Sequence, residues 1–546
     1  MPHPLPLNEP DPLPQRERIS ARRAPEPPAH LGTAYPAGGS DTAETGGTAV
    51  IQAPVGSAAP STSAAAPYGS SATANSRPGS RTDSVAGTAA NRLPGTTGAA
   101  TRRSAGDCGP NSGARSLRSG PAAPADSSRA DLLLRNAHID DAAPLVDIAV
   151  TGGVITAIGP DLADTADQEI DCAARVVIPG LVESHVHLDK ALLDRERSGD
   201  GTLARAIAVT AELKRDFTAA SIRDRARRVL EQAIMHGTTV IRAHPDVDPI
   251  VGLLGVGTLL ELRDEFRGRI DLQIVAFPQE GILRAPGTLA LLREALNAGA
   301  DVIGGCTYNE DSVAQCRRHI DLVFDLAAEF GVPVDLHADF ADDTTDPRFA
   351  LADYIAEVTE RTGMGGRVTI GHATSLAARP PADRQRVLRR LAEAGVAVVP
   401  LPATDIFLGG RTDTANIRRG IAPVRELWAA GVRTAVSSNN IRNAFTPYGN
   451  ADLLDIGLFL AQTSHLAGPG DLTRVLGMAT YEAAAVIDIA DRYGLRVGAD
   501  ADLVVLSTHR VADALLDRPD RCFVIKAGRI VAHTTRTQQL LPALHL

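Results

Sequence analysis

The sequence is poor in cysteine, lysine and aromatic residues, and it has no long apolar run. Its five cysteines are scattered without CxxC spacing, which excludes a disulfide framework and fits a reducing, cytoplasmic setting. No apolar stretch approaches the roughly 20 residues that span a bilayer, so we expect no membrane partner. The N-terminus lacks a basic start followed by an apolar stretch, and no secretory signal is therefore expected.

Acidic residues outnumber basic ones over most of the chain. The formal net charge of the 546 residues is −10, which divides into +3 for residues 1–130 and −13 for residues 131–546. An acidic body repels nucleic acid and anionic membranes, so neither is expected as a partner. The composition instead favours a cytoplasmic enzyme that acts on a small, neutral molecule.

Leucine, isoleucine, valine and phenylalanine are sparse in residues 1–128, which are rich in serine, threonine, proline, glycine and alanine. Such a segment cannot bury enough apolar surface to offset the entropy lost on ordering. We predict a disordered, low-complexity tail over residues 1–128, with ordered structure starting near Leu132.

Short strand-like segments occur at both ends of the remaining sequence. Residues 129–180 contain a hairpin signal at Gly152-Gly153, and residues 491–546 contain a similar turn at Ala527-Gly528. Neither group has enough strands to be stable alone, so we expect the two to pair in one composite β-sandwich.

Strand-like and helix-like segments alternate between these ends, over residues 181–490. Eight such β-then-α units predict a (β/α)₈ TIM barrel, and several of the helical segments end in glycine, as a helix C-cap does. A doubly wound open sheet is the alternative, but no glycine-rich phosphate-binding motif supports it.

Polar residues gather where the predicted barrel strands end, which is where the active site of such a barrel lies. His185 and His187 are two residues apart on one strand, so both imidazoles point to the same face and can hold one divalent ion. His337 would complete a three-histidine set, whereas His244 serves equally well as a structural hydrogen-bonding residue. The strand-end residues are His185, His187, His244, Gln279, Glu280, His337, His372, Asn439 and Asn440.

A divalent ion held by three imidazoles lowers the pKa of a bound water and so provides a nucleophile near neutral pH. A nearby acid or base moves protons, and another imidazole stabilises the developing charge. Hydrolysis of a carbon–nitrogen bond is the natural reaction class for such a site.

Several motifs carry a family resemblance over residues 131–535. PGLVESHVHLDK and VGADADLVVL resemble the amidohydrolase superfamily. The run IDLQIVAFPQEGIL, preceded by IRAHPDVD and followed by VDLHADF, VTIGHATS and FLGGR, resembles bacterial cytosine deaminases and relatives that act on N-heterocycles.

The resemblance implies a site with one divalent metal ion, zinc or iron, bound by His185, His187 and His337. It further implies that Gln279 binds the amide face of an N-heterocyclic substrate and that His372 polarises or orients the attacked group. Phe277 would lie near the substrate, with core packing as the equal alternative.

Two positions depart from the family pattern. Phe340, after His337-Ala338-Asp339, stands where cytosine deaminases carry the acid that protonates the ring nitrogen. Asn439 stands in place of the strand-8 aspartate that contacts the metal and takes the proton from water. An amide is a poor metal ligand and exchanges no proton near neutral pH, so Asn439 places turnover on cytosine itself in question.

Three functions fit these departures, and the first is favoured. The chain is an active hydrolase in which Asp339, Asp405 or another carboxylate replaces the missing base. Alternatively it is a metal- or ligand-binding pseudoenzyme, or its histidines bind a polar ligand without metal.

A dihydroorotase- or hydantoinase-like cyclic amidase is a further alternative. Such enzymes bridge two metals with a lysine after strand 4, where this chain has Cys306. Lys190 is on a different strand and would bind an anionic substrate group or form a salt bridge. Barrel hydrolases of this kind often self-associate, so a homo-oligomer is a candidate assembly.

Overall fold

The computed structural model describes residues 129–193, 201–342 and 344–541. The predicted disordered tail, residues 1–128, lies outside the described residues. Within the described part, no helix combines the length and the apolar character that a membrane crossing requires. The strands in chain order are β1 (Arg129–Ala137), β2 (Val146–Thr151), β3 (Val154–Gly159), β4 (Thr165–Asp171), β5 (Val177–Pro179), β6 (Leu181–Val186), β7 (Thr238–Ala243), β8 (Asp271–Ala276), β9 (Val302–Cys306), β10 (Val334–Ala338), β11 (Val368–His372), β12 (Val396–Val399), β13 (Leu503–Leu506), β14 (Arg521–Lys526) and β15 (Arg529–His533).

Two four-stranded sheets from the two ends of this region form a sandwich. Their strand orders are β3-β2-β1-β4 and β15-β14-β13-β5. Leu132 and Leu134 of the first sheet share one buried cluster with Leu503, Val505 and Ile525 of the second. The predicted composite sandwich is therefore confirmed, because each sheet covers the apolar face of the other.

A single residue, Gly180, separates the sandwich strand β5 from the first barrel strand β6. A Cβ atom at this position would come within 2.2 to 2.8 Å of the side chain of Thr239. Glycine allows this close approach, and the Gly180 carbonyl accepts a hydrogen bond of 2.6 Å from the Tyr493 hydroxyl.

The strands β6 to β12 form one parallel sheet in the order of the chain. Helices connect successive strands, as parallel pairing requires. The order and direction of these strands confirm the predicted barrel-like α/β fold. Its polar strand ends therefore lie at one face, where β6, β10 and β11 bring their histidines together.

The eighth predicted strand closes the barrel through single bridges instead of a regular ladder. Thr434 bridges to Val398 of β12, and Asn439 bridges to Val186 of β6. Side chains replace part of the ladder here: the Ser437 hydroxyl accepts from the His185 amide at 2.7 Å, and Glu183 accepts from the Ser438 amide at 2.9 Å. These side-chain hydrogen bonds take the place of backbone pairing, so the eighth segment is not the regular strand that its sequence predicts.

The longer helices carry an apolar stripe of buried residues, and some of them begin and end at ordinary capping residues. Thr218 and Ser221 form a capping box before α2, and Gly331 and Gly395 end α5 and α7 with positive φ. The helices are α1 (Leu203–Leu213), α2 (Ala219–Met235), α3 (Leu254–Glu265), α4 (Thr288–Asn297), α5 (Val313–Phe330), α6 (Ala352–Thr362), α7 (Pro381–Ala394), α8 (Pro402–Leu408), α9 (Val424–Ala430), α10 (Leu453–Thr463), α11 (Asp471–Met478), α12 (Tyr481–Val486) and α13 (Asp513–Asp517).

Candidate active site

Three histidines converge at the carboxyl ends of the barrel strands. His185 lies on β6, His187 directly follows this strand, and His337 lies on β10. The Nε2 atom of His337 lies 2.9 Å from Nε2 of His185 and 3.1 Å from Nε2 of His187. The structure therefore brings together the three residues that the sequence predicted as metal ligands.

Burial keeps these imidazoles neutral. It lowers the pKa of His185 to about 3, with repulsion from His244 as the next cause, against the opposing effect of Asp335. Burial likewise lowers the pKa values of His187 and His337 well below the ordinary value. Neutral imidazole is the form of histidine that binds a metal ion.

The arrangement fits one divalent cation. Metal–nitrogen distances of about 2.0 to 2.1 Å put adjacent ligand nitrogens about 3 Å apart, as they are here. His187 Nδ1 donates to the His244 carbonyl at 2.8 Å, which leaves the Nε2 lone pair available. Because the three Nε2 atoms cannot all satisfy one another by hydrogen bonds, a shared cation is the natural partner.

A second group of potential ligands, His185, His244 and Asp335, lies behind this cluster. Arg242 donates to Asp335 Oδ2 at 3.1 Å, and a guanidinium so close disfavours a second cation. Burial raises the pKa of Asp335, but His244 and His185 outweigh it, and the net shift is downward. Asp335 Oδ1 lies 3.6 Å from Nδ1 of His185, beyond hydrogen-bond distance, so Asp335 acts on this side of the cluster through its charge.

His372, at the end of β11, forms a short hydrogen bond with a buried acid of α8. Its Nδ1 atom lies 2.6 Å from Oδ1 of Asp405, and the other oxygen of Asp405 accepts from the Leu401 amide at 3.0 Å. Burial raises the pKa of Asp405, and the proximity of His372 partly offsets this effect. Phe340 stacks on the His372 ring at 4.1 Å and 10°, so the imidazole is fixed on two sides.

Asp339, the other acid considered from the sequence, has a structural set of partners. Its two oxygens accept from the backbone amides of Leu351 and Ala352, at 2.6 and 3.0 Å, where α6 begins. Both oxygens are thus engaged with a helix N-terminus, an arrangement typical of a structural carboxylate. Of the two candidate bases, only Asp405 contacts a histidine of the site.

Lys190 and Gln279 form a connected pair on the same side of the cavity. The Lys190 ammonium donates to Gln279 Oε1 at 3.0 Å and to Asp246 Oδ1 at 2.6 Å. Lys190 therefore forms a buried salt bridge, the alternative to its binding of an anionic substrate group, and its partner Asp246 was not foreseen. The side-chain oxygen of Gln279 is thus engaged, and its amide nitrogen donates one hydrogen to Cys306 Sγ at 3.9 Å, which leaves the second hydrogen for a ligand.

Phe277 is fully buried behind the histidines and does not line the cavity. Its ring lies 4.2 Å from the ring of His337 and 5.1 Å from that of His187, measured between centroids. The packing alternative considered for Phe277 matches this position, whereas a direct substrate contact does not.

Asn439 lies at the barrel closure beside the histidines, with its side chain almost fully buried. Neither its amide oxygen nor its amide nitrogen has a hydrogen-bond partner within the described part of the chain. Its φ of 60° is left-handed, as is the φ of 72° at His372. Unpaired polar atoms and strained backbone both occur where a site is shaped for a ligand.

One cavity, open to solvent on one side, brings most of the predicted residues together. The lining includes two of the three predicted metal ligands, His187 and His337, while His185 lies deeper. The other predicted residues in the lining are Lys190, Gln279, Phe340, His372 and Asn439.

Several site residues were not identified from the sequence. Asp335 lies two residues before His337 on the same strand, so the spacing of β-structure would have placed it on the same face. Lys214, Asp246 and Asp248 form a buried ion cluster, and no local pattern pointed to their mutual contact.

The parallel barrel and the histidine-rich site at its strand ends define a class, the metal-dependent barrel hydrolases. A family model described as "Amidohydrolase family" matches residues 168–532. The chain belongs to the amidohydrolase family.

Comparisons with individual proteins agree with this family. N-isopropylammelide isopropyl amidohydrolase of Pseudomonas sp. (strain ADP) is 32% identical over 416 residues, covering 73% of this chain and 97% of the relative. Pterin deaminase of Rhizobium rhizogenes is 32% identical over 70% of this chain and 87% of its own. The crystal structure of 5-methylcytosine deaminase from Klebsiella pneumoniae with 5-fluorocytosine is 30% identical with a TM-score of 0.71, covering 75% of this chain and 99% of that chain.

These relatives confirm the prediction of an amidohydrolase that resembles cytosine deaminase. The chain is a hydrolase that acts on carbon–nitrogen bonds other than peptide bonds. The pseudoenzyme and cyclic-amidase alternatives are not favoured by these relatives.

Proposed function

We propose that the chain hydrolyses a carbon–nitrogen bond of a small N-heterocyclic ring with the help of one divalent metal ion, zinc or iron. Hydrolytic removal of an exocyclic amino group is the preferred reaction. The observation that carries this proposal is the convergence of three neutral imidazoles beside the His372–Asp405 pair, in one cavity.

His185, His187 and His337 would hold the metal ion. A divalent cation at such a set supplies Lewis-acid activation, which lowers the pKa of water toward neutrality. The His244 carbonyl accepts from the outer nitrogen of His187, and this bond keeps the inner nitrogen oriented toward the cation. The Asp335 carboxylate, 3.6 Å from the outer nitrogen of His185, contributes negative charge that favours a cation at the cluster.

His372 and Asp405 would handle the proton. The Asp405 carboxylate accepts the Nδ1 proton of His372, so the Nε2 atom carries the lone pair that can take a proton from the attacking water. The same nitrogen can then donate that proton to the departing nitrogen. This role fills the place left by the missing strand-8 aspartate.

Gln279, Lys190 and Asn439 would orient the ring. The side-chain amide nitrogen of Gln279 would donate to a ring carbonyl or nitrogen, because the side-chain oxygen of Gln279 already accepts from Lys190. Asn439 offers both a donor and an acceptor that the described protein does not satisfy. Leaving such groups unpaired costs about 1 to 3 kcal/mol each, so a ring that pairs with them gains selectivity.

Two measurements on purified protein test the proposal. We expect about one divalent ion per chain by elemental analysis, its loss in His187→Ala, and its retention in the matched control His509→Ala, which removes an exposed histidine. We then expect ammonia or amine release from some member of a panel of aminopyrimidines, aminotriazines and pterins by the metal-loaded protein.

The proposal is wrong if the wild-type protein retains no metal after loading and dialysis. It is equally wrong if the metal-loaded protein releases no nitrogen from any ring of the panel while it hydrolyses open-chain amides.

A further inference from the structure

Lysine occurs at three positions of the chain, and one of these lysines lines the cavity. The Lys190 side chain is almost fully buried, and its ammonium lies 5.5 Å from the centre of the Phe277 ring and 5.6 Å from that of Phe445. An ammonium group in such surroundings needs a counterion, because it has lost most of its water. A lysine in a binding cavity can take that counterion from an anionic ligand or from the protein.

In this cavity the protein supplies the counterion. Asp246 Oδ1 lies 2.6 Å from the Lys190 ammonium, and Asp246 is fully buried behind the cavity lining. Burial raises the pKa of Asp246, but the charges of Lys190 and Lys214 outweigh this effect, and the net shift is downward. Asp246 therefore stays ionised and neutralises the one ammonium that faces the ligand.

The other charged groups around this ion pair have partners of their own. Lys214 lies 3.2 Å from Asp246 Oδ2, and it pairs with Asp248 and Glu280 at 2.6 Å each. Asp189 Oδ2 accepts from the Asp246 backbone amide at 3.0 Å, so it holds the backbone that carries the counterion. Within the described residues, Asp246 is the one carboxylate at ion-pair distance from Lys190.

The same ion pair orients Gln279. Lys190 donates to Gln279 Oε1 at 3.0 Å while Asp246 fixes the ammonium from behind. The side-chain oxygen of Gln279 is therefore turned toward Lys190, and a hydrogen of its amide nitrogen is left for the ligand. Asp246 thus acts on two groups of the cavity lining without reaching the cavity itself.

We infer that Asp246 is a positioning residue that sets the charge selectivity of the cavity. It satisfies the charge of Lys190, so an anionic group on the ring would lose water without gaining Lys190 as a counterion. An uncharged group of the same size does not bear this cost. The inference rests on the proposed function, since it places the ring in the same cavity.

The test compares the binding of two ligands that have nearly the same size and differ in charge. Aminopyrimidinones that carry a carboxylate or a carboxamide on the same ring carbon are titrated by calorimetry into the metal-loaded protein. Both ring carbons that bear hydrogen are substituted in turn. Asp246→Asn keeps the volume and leaves Lys190 without its counterion, so we expect the affinity for the carboxylate relative to the carboxamide to rise about tenfold or more for at least one ring position.

Lys190→Met tests the same ion pair from the other side. Asp246 keeps Lys214 as a partner in this variant, but its charge is no longer balanced at the cavity. We expect the affinity for the carboxylate relative to the carboxamide to fall below that of the wild type. A general loss of packing would weaken both ligands alike, whereas the two variants should shift the charge selectivity in opposite directions.

Asp502→Asn is the matched control, because Asp502 is the buried partner of Lys526 at 2.6 Å and neither residue lines the cavity. The substitution breaks the same kind of ion pair beside the sandwich strand β14. We expect a lower unfolding temperature and an unchanged ratio of the two affinities.

The outcomes separate the inference from the proposed function. Opposite shifts in Asp246→Asn and Lys190→Met support the inference even if no ring is turned over, in which case the proposed function fails. If Asp246→Asn does not fold, the direction of the shift in Lys190→Met decides. Equal weakening of both ligands, an unchanged ratio, an equal shift in Asp502→Asn, or no binding of either ligand overturns the inference, whether or not an unsubstituted ring is deaminated.

Discussion

Asp405→Asn is the sharpest test of how the site moves a proton. Asparagine has nearly the same volume and keeps an oxygen for the Leu401 amide, which now donates to Asp405 Oδ2 at 3.0 Å. In the variant, the amide nitrogen faces Nδ1 of His372. In the wild-type protein, an Asp405 oxygen occupies this position at 2.6 Å from the same nitrogen. His372 must place its lone pair on Nδ1 and its proton on Nε2, and it can no longer accept a proton from water.

The expected loss follows from this change of tautomer. Removing a general base lowers kcat by about 10² to 10⁴, which corresponds to about 3 to 5 kcal/mol of transition-state stabilisation. KM should change little, because Asp405 is behind His372 and does not line the cavity. Steady-state kinetics on the best ring substrate measure both quantities, and metal analysis confirms that the variant is loaded.

Asp339→Asn is the matched control, since it changes the other buried acid near the histidines in the same way. Its two oxygens accept from the amides at the start of α6, so we expect lower thermal stability with a smaller loss of kcat. If Asp339→Asn loses more kcat than Asp405→Asn at equal metal content, the assignment of the proton to the His372–Asp405 pair is refuted.

Three further predictions concern the metal, the ion cluster and the cysteines. Chelation should lower the unfolding temperature of the wild type but not of His187→Ala, since a ligand that binds only the folded state stabilises it. Lys214→Met should destabilise the fold by about 3 to 5 kcal/mol in urea unfolding, because Asp248 and Glu280 lose a buried partner; unchanged stability would contradict the role of the cluster. Burial raises the pKa values of Cys172 and Cys306 to about 12, so neither should react with a thiol reagent at pH 8 until the protein is unfolded, as mass spectrometry of labelled peptides would show.

The strand-end histidines could be predicted because their position depends on local pattern and chain order. Side chains alternate between the two faces along a strand, which places His185 and His187 on one face, and parallel strands place His337 at the same edge. Phe277 shows the limit of this reasoning. It ends a strand beside the site as expected, yet its ring packs behind the histidines, which depends on the space left by neighbouring side chains.

The choice between Asp339 and Asp405 could not be made from the sequence. Asp339 is two residues from His337, whereas Asp405 is 33 residues from the histidine that it contacts. Asp339 accepts from backbone amides at the start of α6, whereas Asp405 lies on α8, which places it beside His372. Contacts of this kind depend on how helices sit on the barrel, which periodicity does not encode.

The sequence by itself determined the barrel order, the sandwich made from both ends and the set of polar strand ends. These features follow from the spacing of apolar residues within each segment and from the order of the segments along the chain, and both can be read without knowing the tertiary contacts. The tertiary structure alone decided which acid contacts which histidine and how serine side chains close the barrel. Those features arise where residues far apart in the chain come within a few ångströms of one another.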